Sequence, residues 1–236
     1  MVVQHTLQPY GIGNEQPFTL IAGPCVVESA DNVYEIASHL QALCRSLGIN
    51  YVFKASVEKA NRTSHRSFVG VGREKALDIL ANVKKDLGVK IITDVHDIAM
   101  VNLVEPVVDF LQIPAFLCRQ TELLQHAAAT MLPVNIKKGQ FLAPKDMRHV
   151  LDKLLTVGNE NILLCERGSC FGYNNLVVDF RGLAIMKSFG YPVVFDATHS
   201  VQLPGAGDGR SQGEREYAPM LAKASLTMGI AAIFME

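Results

Sequence analysis

Eight positions spread along the sequence carry side chains able to do chemistry, and each closes a run of apolar residues: Cys25, Lys54, Asp94 with His96, Gln112, Lys137, Arg167, Asp196 with His199, and Glu236. Lysine and arginine bind anions, the first as a point charge and the second as a bidentate fork. Aspartate, glutamate and histidine move protons or ligate metals, and a thiolate does the latter. The stretch "FKASVEKANRTSHRSF" (53–68) adds Lys59 and Arg62, with Asn61, Thr63 and Ser64 supplying amide and hydroxyl groups. Such a mixture suits two phosphate groups, although composition alone favours a solvated basic loop. Lys137 and Arg167 reverse that judgement, because the five cations Lys54, Lys59, Arg62, Lys137 and Arg167 aimed at one cavity would repel one another without anions.

In "DVHD" (94–97), Asp94 and His96 alternate on a strand and so are expected to point the same way. A lone histidine is more often a hydrogen-bonded structural residue, and its place at a run end brings the functional reading level with that one. Cys25, His199 and Glu236 together form a mixed sulfur, nitrogen and oxygen set suited to a borderline divalent ion such as Zn or Fe(II). Taken alone, Cys25 reads as a packed thiol. Cys44 falls in a helical pattern and Cys165 inside an apolar run, so both read as core.

What must position these groups is legible in the same runs. They are "FTLIAGPC" (18–25), "YVFKAS" (51–56), "KIITDVH" (90–96), "FLQIPAF" (110–116), "PVNIKKG" (133–139), "NILLCERG" (161–168), "PVVFDATH" (192–199) and "AAIFME" (231–236). Near-continuous apolar runs of this length are the mark of parallel strands buried on both faces. Between most of them lie amphipathic segments such as "NVYEIASHLQALCRSLG" and "EKALDILANVKKDLG", apolar at spacings of three and four and ending in glycine, which predict helices. Eight strands alternating with helices fit an α/β fold of the (β/α)8 (TIM) barrel type better than an open doubly wound sheet, and no pyrophosphate fingerprint follows the first run. Barrel sites are built at the C-terminal ends of the strands, where the polar residues fall. A strand buried on both faces gains nothing from an ionisable residue unless a partner or ligand offsets its desolvation.

The chain of 236 residues, 49% hydrophobic and 19% charged, suits one barrel domain over 1–236 with a short N-terminal extension, 1–17. Its net charge of −1 gives no global field for nucleic acid or an anionic membrane. No apolar stretch reaches the length of about 18 residues expected of a membrane span. Five cysteines without paired spacing and an N-terminus lacking a signal-peptide pattern make a reducing cytoplasm the simplest setting. The segment "FDATHSVQLPGAGDGRSQGE" (195–214) is rich in glycine and predicts a mobile loop, read equally as a substrate lid or as a plain surface loop. No eighth helix follows "AAIFME", which would leave apolar outer faces of the first and last strands uncovered, so the sequence is expected to be a fragment of a longer chain.

The motifs "IAGPC", "FKAS", "KANR", "ITDVH", "QIPAFLCRQT", "VNIKKGQFLAP", "ERGSCFGYNNLVVDFR" and "DATHSVQ", in this order from near residue 18 to the end, resemble the 3-deoxy-D-manno-octulosonate 8-phosphate synthases. The resemblance implies condensation of phosphoenolpyruvate with D-arabinose 5-phosphate and water, a step toward a sugar of bacterial lipopolysaccharide. It implies that Lys59, Lys137 and Arg167 bind the phosphate and carboxylate of phosphoenolpyruvate with Lys54 close by. Asn61, Arg62 and Thr63 would hold the pentose phosphate, and Arg119 would reach into a neighbouring subunit's site, so a homotetramer is implied. Asp94, His96 and Gln112 would orient water and the reacting carbons.

Within that family a cysteine at position 25 marks the branch that uses a divalent ion (Zn, Fe(II), Mn or a similar one), held here by Cys25, His199 and Glu236, with an aspartate that would lie beyond Glu236. The loop departs from the usual "KANRSSIHSFRGPG" and reads "KANRTSHRSFVGVG", placing His65, Arg66, Val69 and Val71 at changed positions. The nearest rivals are the sister synthase acting on erythrose 4-phosphate, which has a "KPRTS" type of loop, and a barrel that binds ligand without turning it over.

Overall fold

The computed structural model describes residues 4–62, 64–207 and 210–236. All eight apolar runs form strands: β1 (Thr19–Ala22), β2 (Asn50–Lys54), β3 (Lys90–Asp94), β4 (Phe110–Ile113), β5 (Val134–Lys137), β6 (Ile162–Glu166), β9 (Val193–Asp196) and β12 (Ala232–Met235). They close into a parallel barrel in the order β1-β2-β3-β4-β5-β6-β9-β12, with β12 returning to β1. Helices α1 (Ala30–Leu47), α2 (Arg73–Leu87), α3 (Ile98–Val104), α4 (Thr121–Ala129), α5 (Met147–Leu155), α6 (Arg181–Lys187) and α7 (Ala218–Leu226) fall between successive barrel strands. The fold is a (β/α)8 barrel.

Strand alternation sorts the core into two shells. Ile21, Val52, Ile92, Phe110, Leu163, Cys165, Val194 and Phe234 pack inside the barrel. Phe53, Ile91, Leu111, Val134, Ile136, Leu164, Phe195 and Ile233 face the helices. Cys44 and Cys165 are buried as the sequence indicates. Helix ends follow local chemistry: the Ser29 hydroxyl accepts the Asn32 amide at the start of α1, and Asp97 accepts the Met100 amide at the start of α3. Glu28 lies exposed beside the first of these caps.

The described part of the N-terminal extension, from residue 4, packs on the barrel. Leu7 and Ile12 pair as an antiparallel bridge and are buried with the inner shell, and Tyr10 tilts against Phe110. The Asn14 side chain donates to the Tyr191 carbonyl and accepts from the Val193 amide, tying the extension to the N-terminal end of β9. Apolar residues thus close one end of the barrel, and polar strand ends are left at the other.

Two hairpins stand outside the barrel: β7 (Ser169–Cys170) with β8 (Leu176–Val177), and β10 (Gln202–Gly207) with β11 (Arg210–Gly213). The second occupies the glycine-rich stretch read from sequence as a loop. Its antiparallel ladder pairs Gln202 with Gly213 and Leu203 with Gln212, pairing that short polar sequence hides because neither apolar run nor alternation marks it.

Candidate functional site

The inward-facing positions at the C-terminal strand ends are Lys54 on β2, Asp94 on β3, Gln112 on β4, Asn135 and Lys137 on β5 and Asp196 on β9, with Glu236 just after β12. Register makes neighbours of the polar ends: Asp94 lies beside Gln112, and Gln112 beside Asn135. All are buried except Glu236, whose side chain is only 4% exposed. The loop after β1 comes close because residue 23 is glycine; a Cβ there would run into the Lys54 carbonyl. In consequence the Lys54 ammonium donates to the Cys25 carbonyl at 3.0 Å.

These groups form a nearly closed circuit around the barrel mouth. Lys54 pairs with Glu236, and Lys59 stands 3.7 Å from both Glu236 and Asp94. Asp94 accepts the Ser56 hydroxyl and, at 2.6 Å, the Gln112 amide. The Asn135 amide donates to the Gln112 carbonyl at 2.8 Å. Two residues along β5, Lys137 pairs with Asp196 and stacks on the Phe234 ring, 3.3 Å from its centroid. Asp196 accepts from His199 Nδ1 at 2.8 Å, and His199 Nε2 stands 2.9 Å from Glu236.

This circuit corrects one step of the sequence argument. Lys54, Lys59 and Lys137 do not repel one another for want of a ligand, because Asp94, Asp196 and Glu236 interleave with them. The demand for an anion comes from Arg167. Its guanidinium is buried and donates from Nη2 to the Gln202 side chain at 3.2 Å, while Nε and Nη1 are shut from solvent without a partner. A buried fork with two empty prongs is what an oxyanion would complete.

The charge states follow from these contacts. Burial opposes ionisation of Asp94, but Lys59 and Lys54, with the Gln112 and Ser56 hydrogen bonds, hold its carboxyl well below the usual range. Asp196 is likewise held low against burial by His199 and Lys137. Burial lowers Lys54 despite Glu236, whereas for Lys59 the pull of Asp94 and Glu236 outweighs burial and raises it. Arg167 is lowered, chiefly by desolvation. Burial also lowers His96, so its ring is neutral near pH 7.

Other predicted residues stand outside the hydrogen-bonded circuit. The strand β3 ends at Asp94, and His96 stands just beyond it, within electrostatic reach of Asp94 and Lys59. The ring borders a cavity of about 460 Å³ with Asp97, Leu117 and Gln120, and its buried Nδ1 has no partner. Asn61 and Arg62 are exposed on the loop after β2, whose ends meet where the Lys59 amide donates to the Val69 carbonyl. Thr63 lies outside the described residues. Arg119 is exposed and borders a different cavity, of about 320 Å³, with Asp146, His149 and Lys153. Sequence reasoning missed Ser56, Asn135 and Gln202. Asn135 carried a signal, since it precedes Lys137 by two in "VNIKKG" and therefore shares its face.

The predicted metal ligands come from adjacent places, after β1, after β9 and after β12. Among the described residues no three His, Cys, Asp or Glu side chains stand together as a formed cation cage. Cys25 is exposed, and it joins the circuit through its backbone carbonyl, which accepts from Lys54. His199 and Glu236 do meet, and their geometry asks for positive charge: Nδ1 is committed to the Asp196 carboxylate, so the Nε2 lone pair faces a second carboxylate unless a proton or cation lies between. The donor types and this unmet requirement fit a divalent ion.

The model for the DAHP synthetase I family matches residues 2–236. The chain is 55% identical over 229 residues to a 2-dehydro-3-deoxyphosphooctonate aldolase of Azoarcus sp. (strain BH72), covering 96% of this chain and 82% of the relative. It is 56% identical over 227 residues to the protein of that name from Synechococcus sp. (strain ATCC 27144 / PCC 6301 / SAUG 1402/1), covering 96% and 80%. With that of Francisella tularensis subsp. holarctica (strain LVS) it shares 54% over 227 residues, covering 96% and 82%. A barrel of this topology, matched along almost its whole length by that model and by these relatives, makes the chain a member of the DAHP synthetase I family.

Proposed function

We propose that the chain condenses phosphoenolpyruvate with D-arabinose 5-phosphate and water, giving 3-deoxy-D-manno-octulosonate 8-phosphate and inorganic phosphate, a step of lipopolysaccharide sugar biosynthesis in the cytoplasm. The observation that carries this reading is the buried Arg167 fork with Nε and Nη1 unpartnered, set among lysines at a barrel mouth. The shared name of the 2-dehydro-3-deoxyphosphooctonate aldolases supports the choice of product.

In the proposed reaction C3 of phosphoenolpyruvate, its methylene carbon, attacks the aldehyde carbon of the pentose phosphate, and water adds to C2, the carbon that bears the bridging oxygen. The bond from that carbon to the bridging oxygen breaks, and phosphate leaves with the oxygen. Arg167 and Lys137 hold the phosphate and carboxylate of phosphoenolpyruvate, with Lys54 and Lys59 at the adjoining strand end. Desolvation around these cations strengthens their grip on charge that builds on the departing phosphate. His96, kept neutral by burial, is the group able to take the proton that water gives up, while Asp94, kept ionised beside Lys59, helps to orient water and the reacting carbons. Gln112, fixed between Asn135 and Asp94, orients that carboxylate.

Cys25, His199 and Glu236 are the residues that would hold a divalent ion, which when bound supplies a Lewis acid for a carbonyl oxygen or water. Asn61, Arg62 and Thr63 are proposed to receive the pentose phosphate, completed by Arg119 of a neighbouring copy in a homotetramer. The test is phosphate release from phosphoenolpyruvate with D-arabinose 5-phosphate and, in parallel, D-erythrose 4-phosphate, with Zn, Fe(II) or Mn supplied. We expect a kcat/KM at least tenfold higher for the five-carbon sugar. Preference for the four-carbon sugar, or no release with either, would overturn the proposal.

A further inference from the structure

Immediately behind the anion-binding pair lies a second, hidden pair of charges. Lys138 and Glu166 stand 3.3 Å apart with side chains 0% and 3% exposed. Leu163 and Cys165 on β6 face inward, so Glu166 projects toward the helices, where a Cβ on Gly182 of α6 would lie 3.1 Å from its carboxylate, and Lys138, one residue past β5, meets it there. Neither side chain is placed to touch a ligand in the mouth.

We propose that Lys138 and Glu166 are positioning residues that hold Lys137 and Arg167 at one fixed separation; this rests on the reading of those two as the phosphoenolpyruvate anchor. The Lys138 ammonium gathers two loops. It donates to the Leu142 carbonyl at 3.2 Å in the segment after β5, and to the Gly168 carbonyl at 3.3 Å and the Ser169 hydroxyl at 3.0 Å after β6. Glu166 Oε1 folds back to accept the backbone amides of Arg167 at 3.0 Å and Gly168 at 2.7 Å, so it grips the turn that carries Arg167. That turn needs glycine, since Gly168 has φ 92°. Backbone bonds from Lys138 to Cys165 and from Cys170 to Gln140 complete the stitching.

Energetics argue for geometry over stability. A buried ion pair is seldom better for folding than apolar residues of the same volume, because desolvation consumes the Coulomb gain. An apolar pair here would leave the Gly168 and Leu142 carbonyls and the Arg167 and Gly168 amides without these partners, and would free the two loops to slide.

The test compares the parent, Lys138→Met, Glu166→Gln and the double variant Lys138→Met/Glu166→Gln, each with divalent ion supplied. Should Lys138→Met fail to fold for want of a partner for Glu166, the double variant, which buries no lone charge, still reports. We expect its KM for phosphoenolpyruvate to rise at least tenfold, its KM for D-arabinose 5-phosphate to change less than threefold, and its Tm to stay within a few degrees. A KM for phosphoenolpyruvate within twofold of the parent overturns the proposal, whatever happens to Tm. Calorimetric Kd values for phosphoenolpyruvate on the same proteins separate this from the reaction itself. A parent that binds phosphoenolpyruvate without turnover removes the proposed reaction and leaves the Kd ratio to decide the role of the pair. A parent that neither binds nor turns over overturns both.

Discussion

Replacing Arg167 by methionine should weaken the enzyme and strengthen the fold. The guanidinium is buried with Nε and Nη1 unpartnered, and only Nη2 bonds, to Gln202. An unsatisfied buried donor costs about 1–3 kcal/mol, while a hydrogen bond to a charged group contributes about 1.5–3 kcal/mol. Methionine roughly conserves the volume, removes both empty donors and frees Gln202, so the balance favours the variant by about 1–2 kcal/mol. For a chain of this size that is a rise in Tm of roughly 2–8 °C. Binding moves the other way. Two charge-assisted bonds lost to an oxyanion amount to about 3–6 kcal/mol, or roughly two to four orders of magnitude in kcat/KM. Arg167→Lys, a point charge in place of a fork, should fall between, losing about one such bond. Differential scanning calorimetry of the ligand-free proteins and steady-state kinetics with phosphoenolpyruvate read the two effects. A fall in Tm together with less than a tenfold loss in kcat/KM would show Arg167 to be a structural residue and refute the reasoning.

Three further outcomes follow from the circuit and the core. Asp196→Asn removes the shared partner of Lys137 and His199, and breaking a buried ion pair on one side should cost about 3–5 kcal/mol, lowering Tm by roughly 6–20 °C; a change under 2 °C would contradict it. Asp94 and Asp196 both titrate below their unfolded value of about 4, so the stability they add is complete above that pH and drains away as pH falls toward their native values. Urea midpoints measured from pH 6 to pH 3 should therefore drop below pH 4, and Asp94→Asn should flatten the drop; equal slopes in parent and variant would count against the pairing. Cys25→Ala should abolish bound divalent ion, measured by elemental analysis, and Cys25→Asn should hold none while retaining some turnover. Unchanged metal content in the alanine variant would remove Cys25 from the ligand set.

How much of this could be read from the sequence depends on how far each feature is local. The eight strands were legible because each is buried on both faces and so appears as an unbroken apolar run. Residues at the strand ends were legible because a charge at the end of such a run has few structural excuses. Pairing was not. Nothing local says that Asp196 meets Lys137 across the intervening β6, or that Glu236 meets Lys54, since those contacts depend on barrel closure and register. The same blindness led to the expectation of mutually repelling cations. Nothing local marks Lys138 and Glu166 as partners, since their contact joins the segments that follow β5 and end β6. The surroundings of His96 are not local either: it stands past the end of β3, within electrostatic reach of Asp94 and bordering a cavity with Asp97, Leu117 and Gln120. The β10–β11 hairpin follows from backbone pairing of glycine-rich segments that lack any apolar periodicity.

In the proposed reaction this barrel mouth joins phosphoenolpyruvate to a pentose phosphate and expels phosphate by breaking a carbon–oxygen bond. The direct measurement supplies phosphoenolpyruvate carrying ¹⁸O at the bridging oxygen, with D-arabinose 5-phosphate and a divalent ion, and analyses both products by mass spectrometry. The expected products are an unlabelled eight-carbon sugar acid phosphate and inorganic phosphate that carries the label. Label retained on the carbon product, or no eight-carbon product formed, would contradict it.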